Sequence, residues 1–174
     1  MLQLPDHNFL IIEDSLLKTI CFILLLLISW SLSAQKAELI KLKGLEKIIQ
    51  SPSEHVLVIN FWATWCAPCI KELPFFEKLN QENKNVEVIL VSMDYDLDPN
   101  IEKVNKFVAR KKLQSRVLIL AESDPNSWIE KIDKRWSGAL PATLIINTKT
   151  GKRELIQGEL GDGQLEKLII KVTN

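Results

Sequence analysis

Two cysteines separated by two residues, Cys66 and Cys69 in Trp65-Cys66-Ala67-Pro68-Cys69, have the type and spacing best suited to chemistry in this chain. They stand where a buried-strand pattern, Val56 to Trp62, gives way to a helical one, Ile70 to Asn80. A cysteine just before a helix start lies beside unpaired backbone N–H groups and at the positive end of the helix dipole. Both favour a thiolate over a thiol, so Cys66 is the expected nucleophile. A two-residue gap in a first helical turn brings the two Cα atoms to roughly 5.5 Å, within disulfide reach. The spacing therefore predicts a Cys66–Cys69 pair that closes and reopens with little backbone movement.

Other uses of the pair lack partners. A structural zinc site needs four ligands, and a covalent haem site needs histidine after the second cysteine, where this chain has Ile70. A purely structural disulfide stays open as a reading, but closing so small a loop removes little unfolded-state entropy, which favours a redox role.

The elements that must position the pair read as one globular domain. The 174 residues are 47% hydrophobic and 25% charged, with a formal net charge of zero, and this balance offers no footprint for nucleic acid. No block repeats and no segment is of low complexity. Near the N-terminus Ile20 to Ile28 is an unbroken apolar run, preceded by Lys18 and followed by Ser31 to Gln35. It is short against the ~20 residues of a membrane span and fits a signal-peptide core of roughly 7 to 15. We expect residues 1–34 to be a signal peptide cleaved near Ala34, leaving a nearly neutral domain over 35–174. An uncleaved anchor and a start placed too far upstream are the alternatives, because Leu32, Asp6, Glu13 and Asp14 fit the signal pattern badly. Cys21 lies inside the apolar run, so the expected mature domain keeps only Cys66 and Cys69, in a compartment where disulfides persist.

Along that domain, a short strand is expected at Glu38 to Leu42, and longer, mostly apolar strands at Val56 to Trp62, Val86 to Met93, Val117 to Ala121 and Ala142 to Asn147. Lys152 to Gln157 forms a further strand through a hairpin at Thr148 to Gly151. Helical spacing occurs at Leu45 to Gln50, Cys66 to about Glu82, Asn100 to Lys112 and Asp162 to Val172, with Pro74 expected to kink the second of these. The stretch holding Trp128 and Trp136 reads as looped or partly helical, with core packing the default for both rings and a place at the border of a substrate groove the alternative for one of them. Strands alternating with helices, then a hairpin and a last helix, predict an α/β fold with a central mixed sheet covered on both faces.

Phe61 to Pro74, with Leu140 to Asn147 downstream, resembles the thioredoxin superfamily, in particular its extracytoplasmic TlpA/ResA-like branch. The resemblance covers roughly the whole of residues 35–174 and implies a thioredoxin-like fold. It implies that Cys66 attacks a substrate disulfide and Cys69 resolves the mixed disulfide. It further implies a cis bond before Pro141, opposite the cysteines, and a substrate surface of Trp65, Pro68, Leu140 and Pro141. Without it, Pro141 reads as an ordinary strand boundary.

Glu72, one turn after Cys69, has two readings. The resemblance makes it a cavity carboxylate that tunes the cysteines and moves a proton to or from Cys69; the plain reading is a solvated helical glutamate. Asn60 stands where classical thioredoxins carry a buried aspartate, and an amide cannot titrate. Trp62 and Trp65 are expected to form the apolar surround and rim of the site. His55 reads as a turn residue, and Asp94, Asp96 and Asp98 as a solvated loop lacking the glycine and glutamate of a calcium site.

The expected activity is a periplasmic thiol-disulfide oxidoreductase that reduces protein disulfides. No cofactor or metal beyond the Cys66/Cys69 pair is expected. The expected partners are a disulfide-containing substrate protein and a membrane electron donor, for a monomer serving cell redox homeostasis, with cytochrome c maturation implied by the resemblance. Competing readings are a peroxidase on the same fold, a copper-delivery protein and a disulfide-donating oxidant.

Overall fold

The structure, a computed structural model, describes residues 35–174 together with Lys18 and Ile20. The chain divides into two units, Met1–Ala34 and Gln35–Asn174. In the first unit, Lys18 and Ile20 are helical and exposed; the signal-peptide reading otherwise falls outside the described residues.

Gln35–Asn174 runs β1 (Glu38–Ile40), α1 (Leu42–Gln50), β2 (Val56–Trp62), α2 (Ala67–Glu82), β3 (Val86–Ser92), a 3₁₀ turn (Asp94–Asp96), α3 (Ile101–Lys111) and β4 (Arg116–Leu120). It continues with a 3₁₀ turn (Pro125–Ser127), α4 (Ile129–Ile132), β5 (Ala142–Ile146), β6 (Arg153–Gln157) and α5 (Gln164–Thr173). The strands form one sheet in the order β1-β4-β3-β2-β5-β6. The β1/β4, β4/β3 and β3/β2 pairs are parallel, whereas β5 and β6 join antiparallel. This is the mixed sheet the sequence predicts.

Both faces of the sheet are covered, so its central strands are apolar at nearly every position rather than alternating. β2 is buried along its whole length. One core gathers Val58, Trp62, Val88 and Leu90 under Leu73 and Phe76 of α2, Phe107 and Val108 of α3, and Leu165 and Ile169 of α5. The opposite core gathers Leu57, Ile59, Phe61 and Val91 under Leu45 of α1, Ile129 and Ile132 of α4, and Trp128 and Trp136. Both of those tryptophans are thus core residues: Trp136 lies 4.3 Å from Phe61 and 6.0 Å from Trp128 between ring centroids.

Boundaries shift by a few residues from the sequence reading. The largest change is at α1, which begins at Leu42 rather than Leu45, because Ile40 ends β1 early and the Leu42 N–H is taken by the Glu122 carboxylate at 2.8 Å. Pro74 does not break α2, which runs unbroken from Ala67 to Glu82. The proline ring removes the donor for the Ile70 carbonyl, one helical bond out of the ladder.

Candidate active site

The chain leaves β2 at Trp62, turns through Ala63 to Trp65 and enters α2, which places the cysteines at the C-terminal end of the central strand. Cys66 is the N-cap of α2, in extended conformation (φ −88°, ψ 98°), and Cys69 lies in the first turn. Their Cα atoms are 5.3 Å apart and the sulfurs are bonded. The Cys69 N–H donates to Cys66 Sγ at 3.4 Å, the capping contact that a thiolate would strengthen. Pro68, also in the first turn, is tolerated there because its missing N–H would have been unpaired.

The two cysteines differ slightly in access. Cys66 is 6% exposed and Cys69 fully buried. Around them Trp65 is 53% exposed, Ala67 and Pro68 are exposed, and Trp62 is buried against Phe107 at 5.1 Å. Trp65 therefore forms a rim, as expected, whereas Trp62 belongs to the core beneath.

The Leu140–Pro141 peptide bond is cis. Antiparallel pairing of Phe61 with Ala142 sets the register that carries Pro141 to the end of β2 from which the cysteine loop departs. The Pro141 carbonyl accepts from the Gly158 N–H at 2.8 Å, and the Trp136 indole N–H donates to the Ala139 carbonyl at 3.0 Å, so the loop is pinned on both sides. Leu140 is half-buried between the two cores. Among the described residues, no backbone hydrogen bond engages its N–H or C=O.

Glu72 is not the solvated glutamate of the plain reading: it is completely buried in the core that holds the cysteines. Its Oε1 accepts from Asn60 Nδ2 at 2.7 Å and its Oε2 from the Leu160 N–H at 2.8 Å. Asn60 Nδ2 also donates to Thr143 Oγ1 at 3.1 Å, across the β2/β5 register pair. Burial pushes the Glu72 carboxyl above its ordinary value; the Leu160 and Asn60 donors pull partly back, and the charge of Glu159 adds to the rise. Lys71 turns outward to pair with Glu159 at 2.5 Å, so the segment carrying Leu160 is tied to α2 at two adjacent positions.

Asp94 corrects the solvated-loop reading of its stretch. It is 1% exposed and accepts from the Thr64 N–H at 2.9 Å, from the Thr64 hydroxyl and from Ser92 Oγ at 2.9 Å. The acidic turn after β3 thereby holds the loop that leads into the cysteines. Sequence reasoning missed Thr64, Asp94, Thr143 and Leu160 as supports of the site. Only the pairing of β2 with β5 could have pointed to Thr143, and that pairing is a tertiary fact. His55 is exposed at the N-terminal end of β2, the opposite end from the cysteines.

The Redoxin family profile matches residues 34–164. The chain belongs to the redoxin family. The thiol-disulfide oxidoreductase ResA of Bacillus cereus is 33% identical to this redoxin over 143 residues, covering 82% of this chain and 72% of that protein. ResA of Oceanobacillus iheyensis is 33% identical over 112 residues, 63% of this chain, and there the chain spans about half of the relative, 53%. Among solved structures, a thioredoxin-related protein from Neisseria meningitidis serogroup B superposes with a TM-score of 0.62 at 24% identity, over 72% of this chain and 90% of that one. StoA from Bacillus subtilis gives 0.53 at 21% identity, over 67% and 83%. The structural neighbours show the thioredoxin-like fold. The ResA relatives and the Cys66–Cys69 disulfide make this redoxin a ResA-like thiol-disulfide oxidoreductase.

Proposed function

We propose that residues 35–174 act outside the cytoplasm, in the periplasm or an equivalent compartment, as a reductant of protein disulfides. The observation that carries the attacking and resolving roles in this reading is the asymmetry of the pair: Cys66 caps α2 and keeps 6% exposure, while Cys69 is fully buried behind it. In the reduced enzyme the Cys66 thiolate attacks a substrate disulfide; one substrate sulfur leaves as a thiolate and a mixed disulfide forms. Cys69 gives up its proton, attacks Cys66 Sγ and expels the second substrate sulfur. The substrate gains two electrons and the enzyme pair is oxidised. Glu72 is the proton partner of Cys69 in this scheme, one helical turn away and buried in the same core.

An extended substrate strand would lie against Leu140 and Pro141, pairing with the free Leu140 backbone groups, with Trp65 and Pro68 as apolar contacts. The partners are a disulfide-containing protein and, to reduce the pair again, a membrane electron donor; the enzyme works as a monomer. The peroxidase reading, which would need a threonine hydroxyl and an arginine beside the attacking cysteine to hold peroxide, loses support because the Thr64 hydroxyl is committed to Asp94 and no arginine lies within the motif. The copper reading, which would use the cysteines plus a histidine downstream of them, loses support because both histidines, His7 and His55, precede the motif in the sequence.

Equilibration in glutathione and dithiothreitol buffers, read by thiol trapping and Trp65 fluorescence, tests the direction. A potential near or below about −270 mV supports the reductant; one approaching roughly −120 mV makes the protein a disulfide donor instead.

A further inference from the structure

Glu72 has two hydrogen-bond partners of different capacity. The Leu160 backbone N–H on Oε2 can only donate. Asn60, on Oε1, can do either, because a half-turn of its amide exchanges NH₂ for oxygen. In the carboxylate arrangement Nδ2 uses both hydrogens, one on Glu72 Oε1 at 2.7 Å and one on Thr143 Oγ1 at 3.1 Å. The amide oxygen, Oδ1, is meanwhile buried without a partner. An unpaired buried acceptor is costly in the arrangement that leaves it so, and its place beside a buried acid calls for an explanation.

We propose that Asn60 is a positioning residue that works as an amide toggle, allowing Glu72 to take up and return a proton without leaving its buried place. When Glu72 takes the proton, the O–H forms on Oε1. The Asn60 amide turns over and Oδ1 accepts from it, while the Thr143 hydroxyl rotates to donate to the same oxygen. Oε2 remains a carbonyl oxygen and keeps the Leu160 N–H, so α2 and the segment after β6 stay tied in both states. Each arrangement satisfies both carboxyl oxygens and leaves one end of the Asn60 amide unpaired in the same small space. An aspartate at position 60 would add a second buried acid; an apolar residue would serve neither state. The toggle rests on the reading of Glu72 as the proton partner of Cys69. In the resolving step the bond that breaks is Cys69 S–H and the bond that forms is Glu72 O–H, with no change in electron count until Cys69 attacks.

The surroundings leave Asn60 as the group that must respond. Among the described residues, β2 and β5 offer Asn60 and Thr143, both uncharged, as their buried polar side chains. α5 contributes apolar Leu165, Ile169 and Val172. On the segment after β6, Glu159 is the charge that bears on Glu72 and Asp162 is exposed. On α2, Lys71 is exposed and paired with Glu159, Glu77 accepts from the Gln114 and Ser115 N–H groups, and the Cys66 and Cys69 sulfurs are closed as a disulfide. After β3, Asp94 is held by Thr64 and Ser92.

Nuclear magnetic resonance of the oxidised full chain tests this directly. The Glu72 side-chain carbon and the Asn60 NH₂ group are followed through a pH titration, together with the cross-relaxation between the Asn60 NH₂ and Thr143. The expected result is a single shared midpoint, with loss of the Asn60 NH₂ to Thr143 contact on its acid side. In Glu72→Gln, whose amide can donate to Asn60 and still accept from Leu160, the acid-side pattern should appear at neutral pH. Persistence of the contact throughout the Glu72 titration, or a neutral-pH pattern retained in Glu72→Gln, overturns the toggle. The wild-type titration requires no variant to fold. The oxidised protein does not turn over, so the outcome stands apart from the reductant reading, which the redox potential decides.

Discussion

Replacing Glu72 with alanine probes the buried site, because it removes an acceptor pair and an acid in one step. The loss orphans two buried donors, the Leu160 N–H and one hydrogen of Asn60 Nδ2. At about 1–3 kcal/mol for each, the gross cost is about 2–6 kcal/mol, with water admitted to the cavity moving it toward the lower end. Against this stands the relief of a carboxylate that burial disfavours, and this part depends on pH. The folded-state pKa of Glu72 is raised above its ordinary 4.5, so its protonation stabilises the fold fully below that value. The contribution is lost as pH rises through the folded pKa. Between the two values the wild-type protein loses about 1.4 kcal/mol per pH unit that the alanine variant does not lose. The penalty of Glu72→Ala, measured by urea unfolding of both oxidised proteins at steps from about pH 4 to pH 8, spanning the range above the ordinary carboxylate value, should therefore shrink as pH rises. Shared contributions from other titrating groups cancel in the difference. A penalty that stays constant or grows with pH would refute the reasoning, since it would mean that the two donors outweigh burial.

The unequal access of the two sulfurs is open to labelling. After brief iodoacetamide treatment of the reduced protein, mass spectrometry should find the label on Cys66 and not on the buried Cys69, and Cys69→Ser should accumulate a mixed disulfide with substrate while Cys66→Ser should not. Trp136→Phe removes the indole bond to the Ala139 carbonyl and part of the stacking on Phe61; it should cost about 1–3 kcal/mol in unfolding and raise KM for a peptide disulfide more than it lowers kcat. Asp133→Asn should cost roughly 1 kcal/mol at neutral pH, because Arg135 pairs with Asp133 through two bonds of 2.9 Å and holds its carboxyl below the ordinary 3.8, assisted by Arg153. Being a depressed acid, Asp133 loses that contribution as pH falls through its folded pKa, so the wild-type and variant unfolding curves should converge in acid.

Much of the architecture was legible along the chain. Strands buried on both faces appear as nearly continuous apolar runs, so the sequence places β2, β3 and β5 to within a residue at either end. The cysteine pair was legible because its chemistry depends on local geometry alone, a cap and one helical turn. Glu72 and Asp94 were the hard cases. Each stands among residues that look solvated in sequence, and each is buried because a distant segment closes over it or a neighbouring loop donates to it. The sequence also carries no mark distinguishing Asn60 as an inert core amide from Asn60 as the hub between Glu72 and Thr143.

What the amino-acid order determined by itself, then, was the reactive pair, the helix that activates Cys66 and the alternation of elements that builds the sheet. These are written in patterns among neighbours within a few residues, which can be read along the chain before any long-range contact is known. The tertiary structure decided which cysteine keeps some exposure, where Pro141 meets the motif, and that a carboxylate is sealed beside Asn60 and Leu160. Those outcomes depend on contacts between positions 12 to 88 residues apart, and such contacts exist only once β5 has paired with β2 and the segment after β6 has closed over α2.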